Sequence, residues 1–590
     1  MMDVCIIIKR WENVNKKQII KILEEIAIYL EIKRENPFKI SAYRKAALAL
    51  ENDVRSMQQI KDPAALKGIG KGTAQVINEW LATGESALLN ELKAEIPESL
   101  LALLKIPGLG GKKIAKLYQE LGITDLNTLK QACLAEQVQG LEGFGKRTEE
   151  KIVQAMETSI QRPEQFSIDY MLQLSAQIET VLAGVPAIER YSKAGSLRRQ
   201  NEMMKDIDYV IATERPFDAA EAIKKGLDVS EVTGQGETKM SVILKDEWGV
   251  SVDFRFVTAD AFATALHHFT GSKDHNVRMR QLAKARGEKI SEYGIENEAT
   301  GKKVTFASEK ALFAHFGLCE IPAEIRTGRE EIAEAAERTA FDFITMKHIK
   351  ADLHMHTTYS DGAYTVEEMA EAARNKGYDY IVITDHSKSL RVAGGLNEKQ
   401  LLQQREEIER LNARYGSAFK LFAGTEVDIL SDGHLDFSND TLEALHFVIA
   451  AIHTGFSQDE SKIMYRVRRA MENPYVRLIA HPTGRIIGRR KGYAVNMERL
   501  IQWARETGTA LELNANPSRL DLTSEWVRRA QDEQVKLAIN TDAHSLDMLE
   551  DMSVGITAAR KGWIRPETVL NSMDRKRFEL FIKEPKTVYS

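Results

Sequence analysis

"KADLHMHTTYSDG" (350–362) places two histidines, His354 and His356, on alternate positions and an aspartate, Asp361, five residues further on. Beyond it, short apolar runs alternate with helical stretches: "YIVITDHS", "KLFAGTEVDIL", "LHFVIAAIHTG", "VRLIAHPTG", "ALELNAN" and "KLAINTDAH". That alternation predicts a parallel α/β sheet or barrel, in which chemistry sits at the carboxyl ends of the strands. Of the chain's 13 histidines, nine lie from His348 onward. Six of these stand at or just after apolar runs: His354, His356, His386, His453, His481 and His544. Asp361, Glu426 and Asp542 accompany them. A lone histidine at a strand end is usually a hydrogen-bonded structural residue, but six at successive ends exceed what packing requires. Nine N and O donors are more than one ion can take, so a cluster of two or three metals is expected. Imidazole with carboxylate suits Zn2+, Mn2+ or Fe2+, and spacing does not choose among them. His434 beside Asp432 reads as a surface loop, and His348 and His446 as structural. The basic stretch "GRIIGRRKGY" (484–493) reads as solvated, with a grip on a phosphate backbone as its alternative.

Outward from this region, 590 residues are too many for one core, so several domains are expected. A chain 43% apolar and 28% charged, with net charge −5, has an ordinary globular balance. It offers no global basic surface, so any nucleic-acid binding must be local. Cys5, Cys133 and Cys319 are far apart, which excludes a cysteine zinc site and suits a reducing cytosol. "VCIII" is too short for a leader or a membrane span, so no membrane and a cytoplasmic location are expected. Residues 1–14 read as a loose extension. Residues 15–160 read as helices with Gly-rich breaks, opened by the amphipathic "KKQIIKILEEIAIYLEIK". Strands are expected at "RYSKAGS" and "KDIDYVIAT" (190–213), then "KMSVILK" and "VSVDFRFVT" (239–258). A charged helix over 324–341 is expected to connect the halves.

A repeat marks the helical part. "LKGIGKGTAQVINEWL" (66–81), "LLKIPGLGGKKIAKLYQELG" (103–122) and "VQGLEGFGKRTEEKI" (138–152) share an apolar-Gly-apolar-Gly core ahead of a helix. Gly68, Gly70, Gly108 and Gly110 allow a tight turn that presents backbone N–H groups at a helix N-terminus. Such a turn holds a phosphate without reading a base. One copy would be an ordinary loop, but three within about 90 residues are not.

"AGSLRRQNEMMKDIDYV" (194–210) carries a second constellation. In a strand, Asp206 and Asp208 project to the same face, where two carboxylates repel unless a cation lies between them. Asp253, in "SVDFRFV", can join from a neighbouring strand. Three carboxylates suit Mg2+ or Mn2+, and two such ions can neutralise a triphosphate and assist an attacking hydroxyl. Gly195 and Ser196 allow close backbone approach, with Arg198 or Arg199 as a charge clamp.

This constellation resembles the nucleotidyltransferase palm of family X DNA polymerases. "HHFTGSKDHNVRMRQLA" (267–283) looks like that family's sugar- and base-contacting segment. By resemblance, His268 and Phe269 lie at the deoxyribose beside Gly271, Asn276 contacts the incoming base pair, and Arg280 the template. "NPFKISAYRKAA" (36–47) resembles the small domain that binds the 5′-phosphate of a gap, with Lys39, Tyr43, Lys71 and Lys112 as phosphate contacts. The Gly-rich repeats resemble helix-hairpin-helix motifs. The histidine set resembles the PHP (polymerase and histidinol phosphatase) domain, a distorted (β/α)7 barrel. There the resemblance assigns His354, His356, Glu426 and Asp542 to one metal, Glu426, His453 and His481 to a second, and Asp361, His386 and His544 to a third.

The implied order is an extension (1–14), a polymerase beta-like N-terminal domain (15–90), a helix-hairpin-helix domain (91–163) and an α+β palm (164–258). A thumb (259–322), a linker (323–347) and the PHP domain (348–590) follow. Three positions depart from the family pattern. Val76 stands at the Schiff-base lysine position and cannot form an imine. Met204 and Gln165 replace triphosphate contacts. The resemblance implies gap-filling synthesis from dNTPs through Asp206, Asp208 and Asp253. It also implies 3′–5′ exonuclease or AP-endonuclease chemistry through His356 and Glu426, in base excision repair on gapped or nicked double-stranded DNA, by a monomer. Two rivals remain: a phosphoesterase for a small metabolite, and a non-catalytic DNA scaffold. The Gly loops and intact ligand sets weigh against both.

Overall fold

The computed structural model describes residues 16–586 apart from 53–56, 58–59, 61, 107–108 and 160–162. The expected extension 1–14 and Gly108 therefore lie outside the described residues. The chain divides into two compact units, Met1–Glu164 and Gln165–Ser590.

The first unit is helical. Helix Lys16–Ile32 buries Ile19, Leu23, Ile26 and Leu30, the i, i+3, i+4 stripe of its sequence. Helices Lys71–Thr83, Gly111–Leu121 and Lys146–Ser159 each follow one Gly-rich repeat. One core unites them, with Ile77, Leu81, Leu103, Ile114 and Leu117 almost fully buried.

The second unit opens with β1 (Phe166–Ser167) and helix Ile168–Ala183. The palm strands are β2 (Arg190–Lys193), β3 (Met203–Met204), β4 (Asp206–Ala212), β5 (Val229–Gln235), β6 (Lys239–Leu244) and β7 (Ser251–Val257). Their five-stranded sheet has the order β2-β4-β7-β6-β5, while β3 pairs with β1. β5 is absent from the sequence expectation because it is an exposed polar edge with no apolar alternation; its pairing with β6 alone makes it a strand. The thumb adds helices Phe262–Thr270 and Lys273–Ala285 and a small antiparallel sheet of β8 (Glu288–Ser291), β9 (Gly294–Asn297) and β10 (Lys303–Val304).

The connecting segment differs from expectation. Its helix covers only Glu331–Glu337. Gly328, at φ +79°, brings the chain so close to helix Lys273–Ala285 that a Cβ there would lie 2.6 Å from the Asp274 backbone carbon. Arg326 is buried against Glu309. These tertiary contacts break the helix that charge and Ala content favoured.

The barrel strands are β11 (Ala351–Asp352), β12 (Tyr380–Ile383), β13 (Lys420–Asp428), β14 (Phe447–Ala451), β15 (Val476–Ile479), β16 (Ala510–Asn514) and β17 (Leu537–Asn540). All pair in parallel and in sequence order. A parallel bridge from Met355 to Ala543 brings the two ends together. β12, β14, β16 and β17 are buried throughout, which explains their unbroken apolar runs. Inside, Phe422, Phe447 and Tyr380 pack on Phe578 of the terminal helix Arg575–Lys583, with the Tyr380 and Phe578 rings 4.7 Å apart. Tyr380 and Phe447 begin their strands, so this helix plugs the amino end and leaves the carboxyl ends open.

Candidate active sites

The palm site is set by register. Asp208 on β4 lies directly beside Asp253 on the parallel β7, and Asp206 shares the face of Asp208 two residues earlier. Burial pushes the Asp208 carboxyl up to about 7, with Asp206 and Asp253 adding to the rise. Asp206 is raised by burial and then by Asp253. Such crowding calls for positive charge. Lys239 Nζ, 2.8 Å from Asp253, supplies part of it, and Ser241 Oγ donates to Asp253 at 2.6 Å. An all-oxygen donor set fits a hard divalent cation. The three carboxylates are less tightly gathered than the barrel donors, which form the close ligand groups found among the described residues.

Gly195 has φ +57°, and a Cβ there would lie 2.0 Å from Asp208 Oδ2, so only glycine fits. Ser196 follows in the single turn Gly195–Arg198. The structure separates the two candidate clamps. Arg198 is committed to Glu309 at 2.6 Å and Thr270 at 2.7 Å. Arg199 donates to the Thr270 carbonyl and lies against Gly271, joining the palm to the segment 267–283. There His268 and Phe269 meet edge to face, and Arg255 lies 4.7 Å over the Phe269 ring. Asn276 Nδ2 donates to the His268 carbonyl at 2.7 Å, while its buried Oδ1 has no partner. Arg280 is exposed. Met204 is buried in the core, where it pairs with Phe166.

In the helical unit, Gly70 and Gly110 cap their helices without any side-chain hydrogen bond. A helix start without a side-chain cap can turn backbone N–H groups to an external acceptor. Gly68 takes φ +108°. Lys39, Lys71 and Lys112 are exposed nearby in sequence. Tyr43 is 6% exposed, within the core, on helix Pro37–Asn52, which also carries Lys39. Val76 is likewise a core residue.

In the barrel, six of seven strands deliver the predicted donors at their carboxyl ends. His354 Nε2 and His356 Nε2 are 3.2 Å apart, and His356 Nε2 is 3.1 Å from Asp542. His481 Nε2 lies 2.8 Å and His453 Nε2 3.3 Å from Glu426 Oε1, with His386 Nδ1 2.9 Å from Oε2. His544 and His386 reach Asp361 at 3.3 and 3.6 Å. The tight groups are His356–Asp361–His386–His544, His354–His356–Asp542 and His386–Glu426–His453. Compared with the three expected sets, His356 and His386 each belong to two groups, and His481 is joined through Glu426 rather than belonging to one. His481 and Asp542 hold positive φ, +28° and +54°, a backbone state that bulky residues adopt mainly where a site demands it. His434 is exposed beside Asp432, and His446 accepts the Ala423 N–H, so both stand outside the ring.

His356 Nδ1 and His481 Nδ1 are buried in the ring with no hydrogen-bond partner, and His386 Nδ1 and Glu426 Oε2 meet at 2.9 Å without hydrogen-bond geometry. The electrostatics point the same way. Burial would raise Glu426, but His453, His354 and His386 hold it well below the carboxylate range. Burial opposes charge on His453, yet Glu426 and Asp428 push it up to about 10. His544 rises to about 9 against burial through Asp361 and Asp542. His356 is pushed down to about 3 by burial and by His386 and His544. A cavity that stabilises cationic charge and lines itself with imidazole and carboxylate donors fits divalent metal ions.

The sequence reading missed the residues that aim this ring. Glu512 on β16 accepts from His354 Nδ1 at 2.8 Å, from the His481 N–H at 2.8 Å and from Asn540 at 2.9 Å. Asp428 accepts from His453 Nδ1 at 2.7 Å, turning Nε2 inward. Asp385 is fully buried and anchors the His356 loop through Thr357 and Ser360. The available signal was a carboxylate inside a fully buried strand, as in "ALELNAN". Arg519 Nε, 3.8 Å from Asp542, also faces the site. Of the basic stretch 484–493, Arg485 is tied to Glu202 in the palm and Arg490 stacks on Phe456, so these two are structural.

Palm and barrel together define a two-site enzyme class, one nucleotidyltransferase-like and one a metal-dependent phosphoesterase. Family models match a DNA polymerase beta thumb over 265–327, a helix-hairpin-helix domain over 14–86, a tandem helix-hairpin-helix over 100–158 and a PHP domain over 352–516. The chain is 52% identical over 569 residues to the DNA polymerase/3′-5′ exonuclease PolX of Bacillus subtilis, covering 96% of this chain and 99% of the relative. A probable phosphatase of Thermoanaerobacter is 29% identical over 250 residues, 40% of this chain and 95% of the relative. The chain belongs to the PolX family, the family X DNA polymerases that carry a PHP domain. Among the described residues no helix is long and apolar enough to cross a membrane.

Proposed function

We propose that the chain is a DNA repair enzyme that both extends and trims a primer at a gap. As a PolX family member it is a DNA polymerase with 3′–5′ exonuclease activity, acting on DNA and dNTPs with divalent metals. The observation that carries the two-site reading is that both donor sets are intact in one chain: the Asp208–Asp253 register and the ring of eight clustered donors, with His481 joined through Glu426. In the palm, Asp206 and Asp208 hold Mg2+ or Mn2+, and Asp253 lies nearest the primer 3′-hydroxyl. Arg199, Ser196 and the Gly195 turn receive the triphosphate, His268, Phe269 and Gly271 the sugar, and Asn276 the base. In the barrel, His354, His356, Asp361, His386, Glu426, His453, His481, Asp542 and His544 hold two or three ions, Mn2+, Zn2+ or Fe2+. Such ions supply Lewis acidity and charge neutralisation at phosphorus. The residues behind them, Glu512 and Asp428, keep the imidazoles aimed.

The Gly70 and Gly110 helix starts, with Lys39, Lys71, Lys112 and Arg280, grip gapped or nicked duplex. Regions 15–90 and 91–163 bind DNA, 164–258 and 259–322 form palm and thumb, and 323–347 joins them to the phosphoesterase domain 348–590. The enzyme is a cytoplasmic monomer serving base excision repair, with abasic or blocked 3′ ends as further barrel substrates. Val76 leaves no imine-forming lysine at that position, so 5′-lyase chemistry does not run through it.

The test is a labelled primer on a one-nucleotide gap with Mn2+, with and without dNTPs. Asp253→Ala should abolish extension and still shorten the primer, and His356→Ala should do the reverse. If neither substitution separates the activities, the two-site assignment fails. The phosphatase likeness favours a second reading, hydrolysis of a small phosphorylated metabolite. Free phosphate released from sugar phosphates without DNA would favour that reading.

A further inference from the structure

We infer that the barrel domain supplies positioning residues for the polymerase site: Lys561 and Arg485 hold the palm turn 199–204 in shape. This turn runs from Arg199 to the strand that carries Asp206 and Asp208. It is not a conformation its sequence favours. Gln200 takes φ +51°, a left-handed state that non-glycine residues adopt at a cost. It is 8% exposed, and its Oε1 has no partner. The turn closes on itself through Gln200 N–H to the Leu197 carbonyl and Asn201 N–H to the Ser196 carbonyl, both 3.0 Å. Its outward acceptors are met from the other domain. Lys561, the last residue of helix Met552–Lys561, donates to the Gln200 carbonyl at 3.2 Å and to Asn201 Oδ1 at 3.3 Å. Glu202 and Glu324 face Lys561 with negative charge, and Arg199 with positive.

Arg485 acts one step further along. Its guanidinium bonds both oxygens of Glu202, at 2.8 and 2.9 Å, while also donating to the Leu520 carbonyl at 2.5 Å. A planar fork on a carboxylate fixes direction as well as distance. The Glu202 carbonyl accepts the Ile168 N–H, and Met203–Met204 pair with Ser167–Phe166. The turn is thus pinned at Gln200, Asn201 and Glu202 by charged groups of the barrel domain. With Met204 buried and Gln165 in place of an arginine, Arg199 carries more of the triphosphate, so its placement matters more.

The inference rests on the reading of Arg199 as a triphosphate contact, and the experiment separates the two. In the full chain, steady-state extension across a one-nucleotide gap is measured for Lys561→Met, Lys561→Arg, Arg199→Ala, Glu202→Arg, Arg485→Glu and the double charge swap. Lys561→Met should raise the KM for dNTP about tenfold, the worth of one charged hydrogen bond, with kcat changed less than about twofold. Exonuclease activity of Lys561→Met should be retained. Lys561→Arg should restore the KM, and the swap should recover much of what each single reversal loses. If Arg199→Ala raises the KM but Lys561→Met and Glu202→Arg do not, the positioning role is wrong. Equal loss of extension and exonuclease in Lys561→Met, without rescue by arginine, also overturns it, as a general loss of fold. If Arg199→Ala leaves the KM unchanged, the triphosphate reading itself falls.

Discussion

Glu512 is a carboxylate in the middle of a fully buried strand, and it has no role unless something needs its charge. It receives His354 Nδ1, the His481 backbone N–H and Asn540, so it aims the His354 imidazole and fixes the His481 backbone without joining a tight ligand group. Glu512→Gln keeps the volume but replaces an acceptor with an amide. Metal affinity of the barrel should fall about 10–100-fold, read by calorimetric Mn2+ titration, with gap filling unaffected. Unchanged affinity would mean that Glu512 is only packing. Asp551 is a residue of a different kind. Burial, then Asp169 and Asp547, push its carboxyl up to about 7 from an ordinary 3.8. The folded state therefore holds a proton that the unfolded state releases, so stability falls as pH rises between these values. Asp551→Asn should leave Tm nearly unchanged near pH 4 and raise it increasingly up to pH 7, with a plateau above. A Tm gain that is independent of pH would remove the electrostatic explanation.

Among elements, the three Gly-rich turns show how one local pattern recurs with one physical purpose. Each ends in a helix, and those at Gly70 and Gly110 have no side-chain cap. Lys71 and Lys112 begin these helices and are exposed. Lys71→Glu and Lys112→Glu should weaken binding to every duplex sequence alike and flatten the dependence of log K on log salt by roughly one unit each. Fluorescence anisotropy on two unrelated gapped duplexes checks this, and a sequence-dependent loss would contradict backbone gripping. Elements with a strong period were readable from sequence, among them helix Lys16–Ile32 and the apolar barrel strands. β5 and the short helix Glu331–Glu337 were not, since an edge strand borrows its order from β6 and a turn at Gly328 packed against Asp274 overrides helix propensity.

For the whole molecule, the decisive fact is that palm and barrel form one unit. Their buried residues make one continuous apolar cluster, from Ile207 and Phe254 in the palm to Ile383 and Val448 in the barrel. Ion pairs Arg485–Glu202, Arg560–Glu324 and Arg528–Glu330 tie the barrel to the rest of that unit. A fragment 165–590 should therefore lose palm and barrel structure in the same calorimetric transition, because neither can expose that face alone. Two resolved transitions would refute it. The sequence by itself determined the barrel, the helix-hairpin-helix repeats, the nine ring donors and the palm aspartates, because period, glycine placement and ligand chemistry are properties of neighbouring residues. Only the tertiary structure decided that Arg198 of "SLRR" is committed to Glu309 while Arg199 meets the Thr270 carbonyl, that Tyr43 is core, that Glu512 and Asp428 brace the ring, and that a barrel lysine caps a palm turn. The physical reason is distance along the chain: Lys561 and Gln200 are 361 residues apart, and no local pattern records a contact that only folding creates.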